Sequence, residues 1–290
     1  MFGMTLKAKL DELRALAPDA FSIDAIEGAE RALADADNPL RLNFFSAAMR
    51  ILSEHSLERM APDDQVKDCV WFSPEQDNGN PTRSQRVKFA IQGGLTDELV
   101  REQLKIEVRP LERVVSAAFK ELSKQVHARE NTIVTDCDEQ DAQAGELLDS
   151  LLEFFIAVED AKASILKPIR DELDDAAIDA LLSETLLDVD ELASHYSLDE
   201  VYVEEVVVAR IEASTITYLA TGSIAVTLQW GSNSDLRRGD GAELNESFPF
   251  TCEITVGLDD MWALDNVETN YGVDTSSWTD VRYGQDEDDF

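Results

Sequence analysis

The fold is decided by residues 216–256, which read ITYLATGSIAVTLQWGSNSDLRRGDGAELNESFPFTCEITV. In two parts of this stretch, apolar residues occupy every second position and mostly polar or small residues fill the gaps. These apolar residues are Ile216, Tyr218, Ala220, Ile224, Val226, Leu228 and Trp230, then Phe248, Phe250, Cys252, Ile254 and Val256. This period of two predicts strands that are buried on one face. The polar segment 231–247, with Gly239 and Gly241, predicts a long hairpin connection.

Most of the chain before this stretch has helical patterns. Amphipathic segments in the first 61 residues predict three helices, and Ser22 or Asp24 is expected to cap the second. Residues 140–167 have the strongest pattern, an apolar stripe formed by Leu147, Leu151, Phe154, Val158, Ala161 and Ile165. This stripe indicates packing inside the domain or, alternatively, a homodimer interface through residues 147–165. Pro168 is expected to end the helix, and another helix is expected at about 171–193.

These patterns predict an α+β protein with two domains. Residues 1–195 are expected to form a helical domain, and residues 196–290 a small antiparallel β domain, similar to a β-sandwich, with an irregular acidic tail from about residue 259. The first strand is predicted at 200–211. A further short strand is predicted at VKDCVWF, residues 66–72, within a stretch that is otherwise irregular.

The net charge of −35 is unevenly distributed. Residues 1–129 hold 18 Lys and Arg against 21 Asp and Glu, whereas residues 130–195 hold 3 against 19 and residues 196–290 hold 4 against 20. Such acidity is typical of a very soluble protein or one adapted to a salty cytoplasm, and it also suits a surface that recruits a basic partner protein. Because phosphate binding needs Lys and Arg, contact with RNA is expected within residues 1–129.

The sequence argues against several classes of protein. No run reaches the roughly 18 apolar residues of a membrane-spanning helix, and the first residues lack the apolar core of a secretory signal. The three isolated cysteines indicate a reducing compartment without a disulfide framework or zinc cluster, so we expect a cytoplasmic protein. The sequence contains no phosphate-binding glycine loop, dinucleotide fingerprint, Gly-x-Ser-x-Gly elbow or His-Glu-x-x-His motif.

The main candidate site lies on a helix predicted from Pro110 to about His127. On a helical wheel, five side chains lie within about 60° of one another and form a basic stripe that ends in a histidine. The basic stripe consists of Arg109, Arg113, Lys120, Lys124 and His127. Nearby cations favour neutral His127, which would act as base or acid with Arg113 as the second catalytic residue. Arg109, Lys120 and Lys124 are predicted to bind nucleic acid, and the chemistry needs no metal or cofactor. A solvated helix face is the alternative.

Other candidate sites are interpreted as structural. Arg50 and His55 have the Arg-to-His spacing of HEPN-type ribonucleases, but on one continuous helix they would point about 140° apart. His195 is interpreted as a residue at the boundary of the first strand. The hairpin connection holds carboxylates that could ligate Mg²⁺ or Ca²⁺. They are Asp235, Asp240, Glu243 and Glu246, and their spacing does not match an EF-hand loop, so an exposed acidic loop is preferred.

Four stretches of the chain together resemble a bacterial family. They are RLNFFSAAMRILSEHSLERMAPDDQVKDCVWF, RSQRVKFAIQGGL, ELSKQVHARE and LQWGSNSD…GDGAE…ESFPFTCEITV. The family consists of predicted nucleases encoded beside prokaryotic PIWI or Argonaute-like genes. ELSKQVHARE also resembles the histidine-bearing helix of HEPN-type domains, and the C-terminal β segment resembles the tail of certain PIN-like toxins. The resemblance implies a role in bacterial defence against phages or plasmids, and a protein partner encoded in the same operon.

Two functions follow from these observations. The leading hypothesis is a component of an anti-phage or anti-plasmid defence system that binds nucleic acid or cleaves RNA, with ribonuclease favoured over deoxyribonuclease. The alternative is a non-enzymatic acidic adaptor or regulatory subunit that binds a basic partner protein. The scarcity of basic residues after position 170 and the lack of a catalytic motif favour this alternative.

Overall fold

The computed structural model describes residues 5–17, 19–110, 112, 113, 116, 117, 133–171, 173, 178, 195–262, 264 and 267–276. The chain divides into two compact units, which we call the helical unit, Met1–Lys167, and the sheet unit, Pro168–Phe290. The domain boundary predicted at residues 195 and 196 stays a prediction, since most residues between 172 and 194 lie outside the described part. No helix in the described ranges is both long and apolar enough to cross a membrane.

The order of elements confirms the α+β class. Helices dominate the chain up to residue 171, and antiparallel strands dominate from residue 195 onwards. The elements are α1 Leu6–Ala15, α2 Ala20–Ala34, α3 Arg41–Met60, α4 Asp63–Asp68, α5 Arg83–Gln92, α6 Asp97–Glu102, α7 Cys137–Asp171, β1 His195–Ile211, β2 Thr215–Trp230, α8 Asn233–Arg238, β3 Ala242–Gly257, a 3₁₀ turn Leu258–Asp260 and β4 Glu268–Val273.

The three predicted N-terminal helices are present as α1, α2 and α3. Their apolar faces pack together, and Leu13, Ile26, Phe45 and Met49 are each at most 1% exposed. The predicted cap of α2 is wrong, because Asp19 occupies that position and accepts a hydrogen bond from the backbone N–H of Ser22. Ser22 already lies in the first turn, where its N–H needs such an acceptor.

Helix α7 buries the apolar stripe predicted for residues 147–165. All six stripe residues are at most 3% exposed within the single chain. Packing within the chain therefore accounts for the stripe, and a homodimer through this helix stays a prediction. The expected end at Pro168 is wrong, because α7 continues to Asp171 with Pro168 inside it. A proline in the last turn removes one backbone donor, and few helical bonds follow it there.

The sheet has four antiparallel strands in the order β1-β2-β3-β4. The alternating residues of β2 and β3 form its buried face, and Ile216, Tyr218, Phe248 and Ile254 are each at most 1% exposed. Strand β2 is one continuous strand, and β1 begins at His195, earlier than the predicted residue 200, because it pairs with β2 as far as Gln229. The described strands form a single sheet, so the similarity to a β-sandwich is not seen in this part of the chain.

Three other predicted segments differ from the structure. Residues 66–72 form no strand, because α4 covers Asp63–Asp68 with two acidic residues in its first turn, which favour a helix. The hairpin connection is shorter than the predicted 231–247, because β3 already begins at Ala242. This connection also contains the short helix α8. The tail is not wholly irregular, because β4 pairs with Phe250–Thr255 of β3.

Candidate functional site

The described part of the chain includes two of the five residues of the basic stripe. Residues 108–110, 112, 113, 116 and 117 are helical, so a helix is present at the predicted place but begins at Val108, two residues before the predicted Pro110. Arg109 and Arg113 are exposed and lie about one turn apart on it. Lys120, Lys124 and His127 lie outside the described residues, so their part of the stripe stays a prediction.

Arg109 also lines a pocket beside the start of this helix. The pocket has a volume of about 370 Å³, which lies within the usual range for small-ligand sites. We call it the 88–112 pocket, and it is lined by Lys88, Asp97, Arg101, Ile106, Glu107, Val108, Arg109 and Glu112. Three cationic side chains thus converge with three carboxyl groups, and this mixture is suited both to holding an anion and to transferring a proton.

Two short helices and a turn position the pocket residues. Thr82 and Gln85 form a capping box that starts α5, which carries Lys88. Gly93, with a φ of 58°, ends α5 in a conformation that disfavours a side chain. Thr96 caps α6, which carries Asp97 and Arg101. After α6 the chain turns into the pocket rim through Lys105, whose φ is 59°.

Lys88 is held in place by contacts on two sides. Its side chain is 16% exposed, and Nζ lies 2.6 Å from Oδ1 of Asp97. Nζ also lies 4.6 Å from the centroid of the Trp71 ring, at the distance of a cation–π contact. The amide of Gln92 donates a 3.1 Å hydrogen bond to the same Asp97 oxygen. The indole of Trp71 donates one of 3.0 Å to the carbonyl of Gly93. These bonds give the pocket a cation with a fixed position.

The pKa values of Asp97 and Glu112 are shifted in opposite directions. Burial is the largest influence on Glu112 and raises its pKa; the charge of Asp97 also raises it, while Lys88 and Arg109 oppose the shift. Partial desolvation opposes the ionisation of Asp97. Hydrogen bonds from Lys88 and Gln92, with the charges of Lys88 and Arg109, nevertheless lower its pKa. The pocket therefore pairs a carboxyl group of lowered pKa with one of raised pKa, a combination that occurs in sites of acid–base catalysis.

Arg50 and His55 have separate structural partners. Nε of Arg50 lies 2.8 Å from Glu54, one turn along the helix, and Nε2 of His55 lies 2.8 Å from Oδ2 of Asp19. The hydrogen bond with His55 is the largest cause that lowers the pKa of Asp19, followed by the bonds from Ser22. His55 therefore joins α3 to the first turn of α2, which supports its interpretation as a structural residue.

The acidic hairpin connection also has a structural role. The backbone N–H of Ser232 donates a 2.8 Å hydrogen bond to Asp235, and Nη2 of Arg238 lies 2.5 Å from the same carboxylate. These bonds cap and close the short helix α8. Within the described ranges, no three His, Cys, Asp or Glu side chains are grouped so that they could hold a metal ion.

Sequence reasoning missed the pocket residues Lys88, Arg101, Asp97 and Glu112. Periodicity identifies residues that share a helix face, whereas the pocket is assembled from separate segments joined by turns. The spacing of three between Arg109 and Glu112 was the one local signal, because residues three apart are neighbours on a helix surface. A helical wheel that marks only the cationic residues does not show this pair of Arg109 and Glu112.

Two family models match the chain. Both are described as predicted pPIWI-associating nuclease, and they cover residues 13–151 and 158–279. The 88–112 pocket lies inside the first matched segment. Neither model is described as HEPN, so the HEPN resemblance stays a prediction. No curated protein and no solved structure matches the chain.

Proposed function

The chain belongs to the family of predicted pPIWI-associating nucleases, and from this premise we propose that it binds nucleic acid and cleaves RNA in a bacterial anti-phage or anti-plasmid defence system. The proposal is carried by one observation: Arg109 belongs both to the basic stripe and to the 88–112 pocket. Nucleic acid that binds along the basic stripe would therefore also lie close to the cations Lys88 and Arg101 of the pocket.

The charges of these residues suit a phosphate backbone. Arg109 and Arg113 are exposed, and guanidinium groups bind phosphate oxygens with strong, charge-assisted hydrogen bonds. At a rise of about 1.5 Å per residue, the predicted helix separates Arg109 from His127 by roughly 27 Å, enough for several phosphates. The near balance of charge in residues 1–129 lets these cations act without the strong repulsion expected from the acidic remainder.

Cleavage also needs a proton-transfer group, and we propose His127 for this role. It would act as base or acid, while Arg113 and the stripe lysines hold the phosphate and the charge that develops on it. RNA is favoured as the substrate because its 2′-hydroxyl supplies a nucleophile without a metal ion. A partner protein of the PIWI type is part of the proposal, since the family description names that association.

The experiment compares wild type, Arg113→Ala and His127→Ala on tRNA, single-stranded RNA and duplex DNA, in EDTA and in Mg²⁺. We expect EDTA-resistant RNA cleavage that falls by about 10²–10⁴-fold in His127→Ala, the usual loss for a general acid–base group. Arg113→Ala should weaken RNA binding. Arg31→Ala is the matched control, because this arginine is 79% exposed on α2 and pairs with Glu27. Unchanged binding and cleavage in both stripe variants would refute the assignment.

A second candidate function, the acidic adaptor, is favoured by one face of the sheet. Exposed Glu200, Glu205 and Glu243 lie opposite alternate residues of β2, so they share a face. A basic partner protein would bind there through charge complementarity. In pull-down experiments with the PIWI-like protein encoded nearby, replacing all three with Gln should abolish a complex that forms at about 50 mM salt. Equal binding at about 500 mM salt would contradict this function.

A further inference from the structure

We propose that the 88–112 pocket is itself a site of RNA cleavage, in which Glu112 transfers the proton and Lys88 and Arg109 hold the scissile phosphate. The inference rests on the proposed function, because it requires RNA cleavage, but it adds a second cleavage site with different residues to the one proposed at His127. It has three supports: the fixed cation, the balance of charge in the pocket, and the separation of Glu112 from His127.

The first support is the fixed position of Lys88. Its ammonium group is held between Asp97 and the ring of Trp71, and its side chain is largely buried. A preorganised cation stabilises developing negative charge more effectively than a mobile one, because it does not have to reorient during the reaction. Arg109 is exposed at the rim and can approach the same phosphate from outside.

The second support is the balance of charge. Lys88, Arg101 and Arg109 face Asp97, Glu107 and Glu112 around the pocket, so the fully ionised pocket carries no net charge. Asp97 is bound by Lys88 and Gln92, whereas half-buried Glu112 has a raised pKa. A carboxylate with a raised pKa is a stronger base than an ordinary one, and neighbouring cations keep enough of it ionised to act.

The reaction is a balanced transesterification. Ionised Glu112 takes the proton of the RNA 2′-hydroxyl, and the 2′-oxygen forms a bond to phosphorus. The bond from phosphorus to the 5′-oxygen breaks, and this oxygen takes a proton from water. The hydroxide so formed removes the proton from Glu112 and restores its carboxylate. The products are a 2′,3′-cyclic phosphate and a 5′-hydroxyl end, and Lys88 and Arg109 stabilise the charge on the phosphoryl oxygens.

The third support is distance. Glu112 and His127 are fifteen positions apart, which corresponds to about 22 Å on the predicted helix. A general base must lie within hydrogen-bond reach of the proton that it removes. On the predicted helix, one phosphodiester therefore cannot contact both residues of the same chain. Variants at the two positions consequently give independent results.

The experiment measures cleavage of a fluorescent single-stranded RNA in EDTA by the full chain carrying His127→Ala, with and without Glu112→Gln, so that only cleavage in the pocket is measured. We expect Glu112→Gln to lower this remaining cleavage by at least about 10²-fold while the Kd for RNA changes by less than about threefold. The rate of His127→Ala should also fall as the pH drops and Glu112 becomes protonated, and the added Glu112→Gln should remove this dependence. Glu98→Gln is the matched control, because Glu98 is an exposed carboxylate on α6 that does not line the pocket.

A stability measurement separates catalysis from folding. The pKa of Glu112 is higher in the folded chain than in the unfolded chain. At pH values above both pKa values, the ionised Glu112 therefore destabilises the fold. Glu112→Gln should therefore have a Tm at pH 7 that equals or exceeds that of wild type. A slow variant with this Tm supports the proposal.

Two results would overturn the inference, and they differ in what they leave standing. If Glu112→Gln cleaves at the wild-type rate while His127→Ala does not cleave, the pocket is not the cleavage site and the proposed function survives. If wild type cleaves none of the RNA substrates in either EDTA or Mg²⁺, the proposed function fails and the inference fails with it.

Discussion

Asp19 both caps α2 and binds His55. Its carboxylate accepts the N–H of Ser22 at 2.9 Å and lies 2.8 Å from Nε2 of His55. These bonds lower the pKa of Asp19 in the folded chain, and the bond with His55 has the largest effect. An acid with a lower pKa in the folded state stabilises the fold above its unfolded pKa, about 3.9 for Asp, and this contribution disappears as the pH falls through the range below.

We therefore predict that Asp19→Asn lowers the Tm at neutral pH and that this deficit shrinks below about pH 4. Thermal unfolding of wild type and variant between about pH 3 and pH 7 measures the difference. Asp24→Asn is the control, because Asp24 is exposed on the same helix. A deficit that stays constant across the whole pH range would show that the ionised carboxylate is not responsible.

Gly222, in the middle of β2, lies against the neighbouring backbone. An added Cβ would lie 2.0 Å from the carbonyl oxygen of Tyr202 and 2.9 Å from Cε1 of Phe250. Because a paired strand cannot move aside without breaking its ladder, Gly222→Ala should destabilise the sheet unit by about 2–3 kcal/mol. Urea unfolding measures this loss. Gly257→Ala is the control, since nothing lies within 4 Å of its added Cβ. Equal midpoints for the two variants would contradict the prediction.

Arg41 joins three helices of the helical unit. Its guanidinium, 6% exposed, donates hydrogen bonds of 2.7 Å to the carbonyl of Leu33 in α2 and 2.8 Å to that of Cys137 in α7. It also lies 2.9 Å from Asp141. Arg41→Met preserves length but removes these hydrogen bonds and the ion pair, so we expect a loss of about 3 kcal/mol. Urea unfolding tests this, with exposed Arg31→Met as control. A loss below about 1 kcal/mol would show that other donors replace Arg41.

The elements that could be predicted are those with a repeating local pattern. A period of two in the apolar residues predicts strands β2 and β3, because each strand buries one face. A period of three to four predicts the buried stripe of α7 for the same reason. The end of α7 was mispredicted, since a proline in a last turn costs less than one in the middle of a helix. The pocket escaped prediction for a different reason: the contact of Lys88 with Trp71 joins two segments through tertiary packing, which leaves no periodic signal.

The two proposed activities lie in parts of the chain that differ in charge. Residues 1–129 are nearly balanced and hold the basic stripe and the pocket, whereas residues 196–290 hold 4 basic against 20 acidic residues. At about 0.1 M salt, charges in water are screened beyond roughly 10 Å, so RNA binding depends on cations close to the phosphates and little on the net charge of −35. The salt dependence of binding therefore reports on the stripe itself.

This dependence gives a quantitative prediction for Arg113. For single strands, each neutralised phosphate contributes about −0.7 to the slope of log K against log salt concentration. Arg113→Gln should make the slope less negative by about 0.7 and weaken binding equally for RNAs of different sequence, since phosphate contacts carry no sequence information. Fluorescence anisotropy between about 50 and 300 mM salt measures the slope, with Arg31→Gln as control. If Arg113→Gln keeps the wild-type slope, Arg113 contacts no phosphate and the stripe does not hold the RNA at this position.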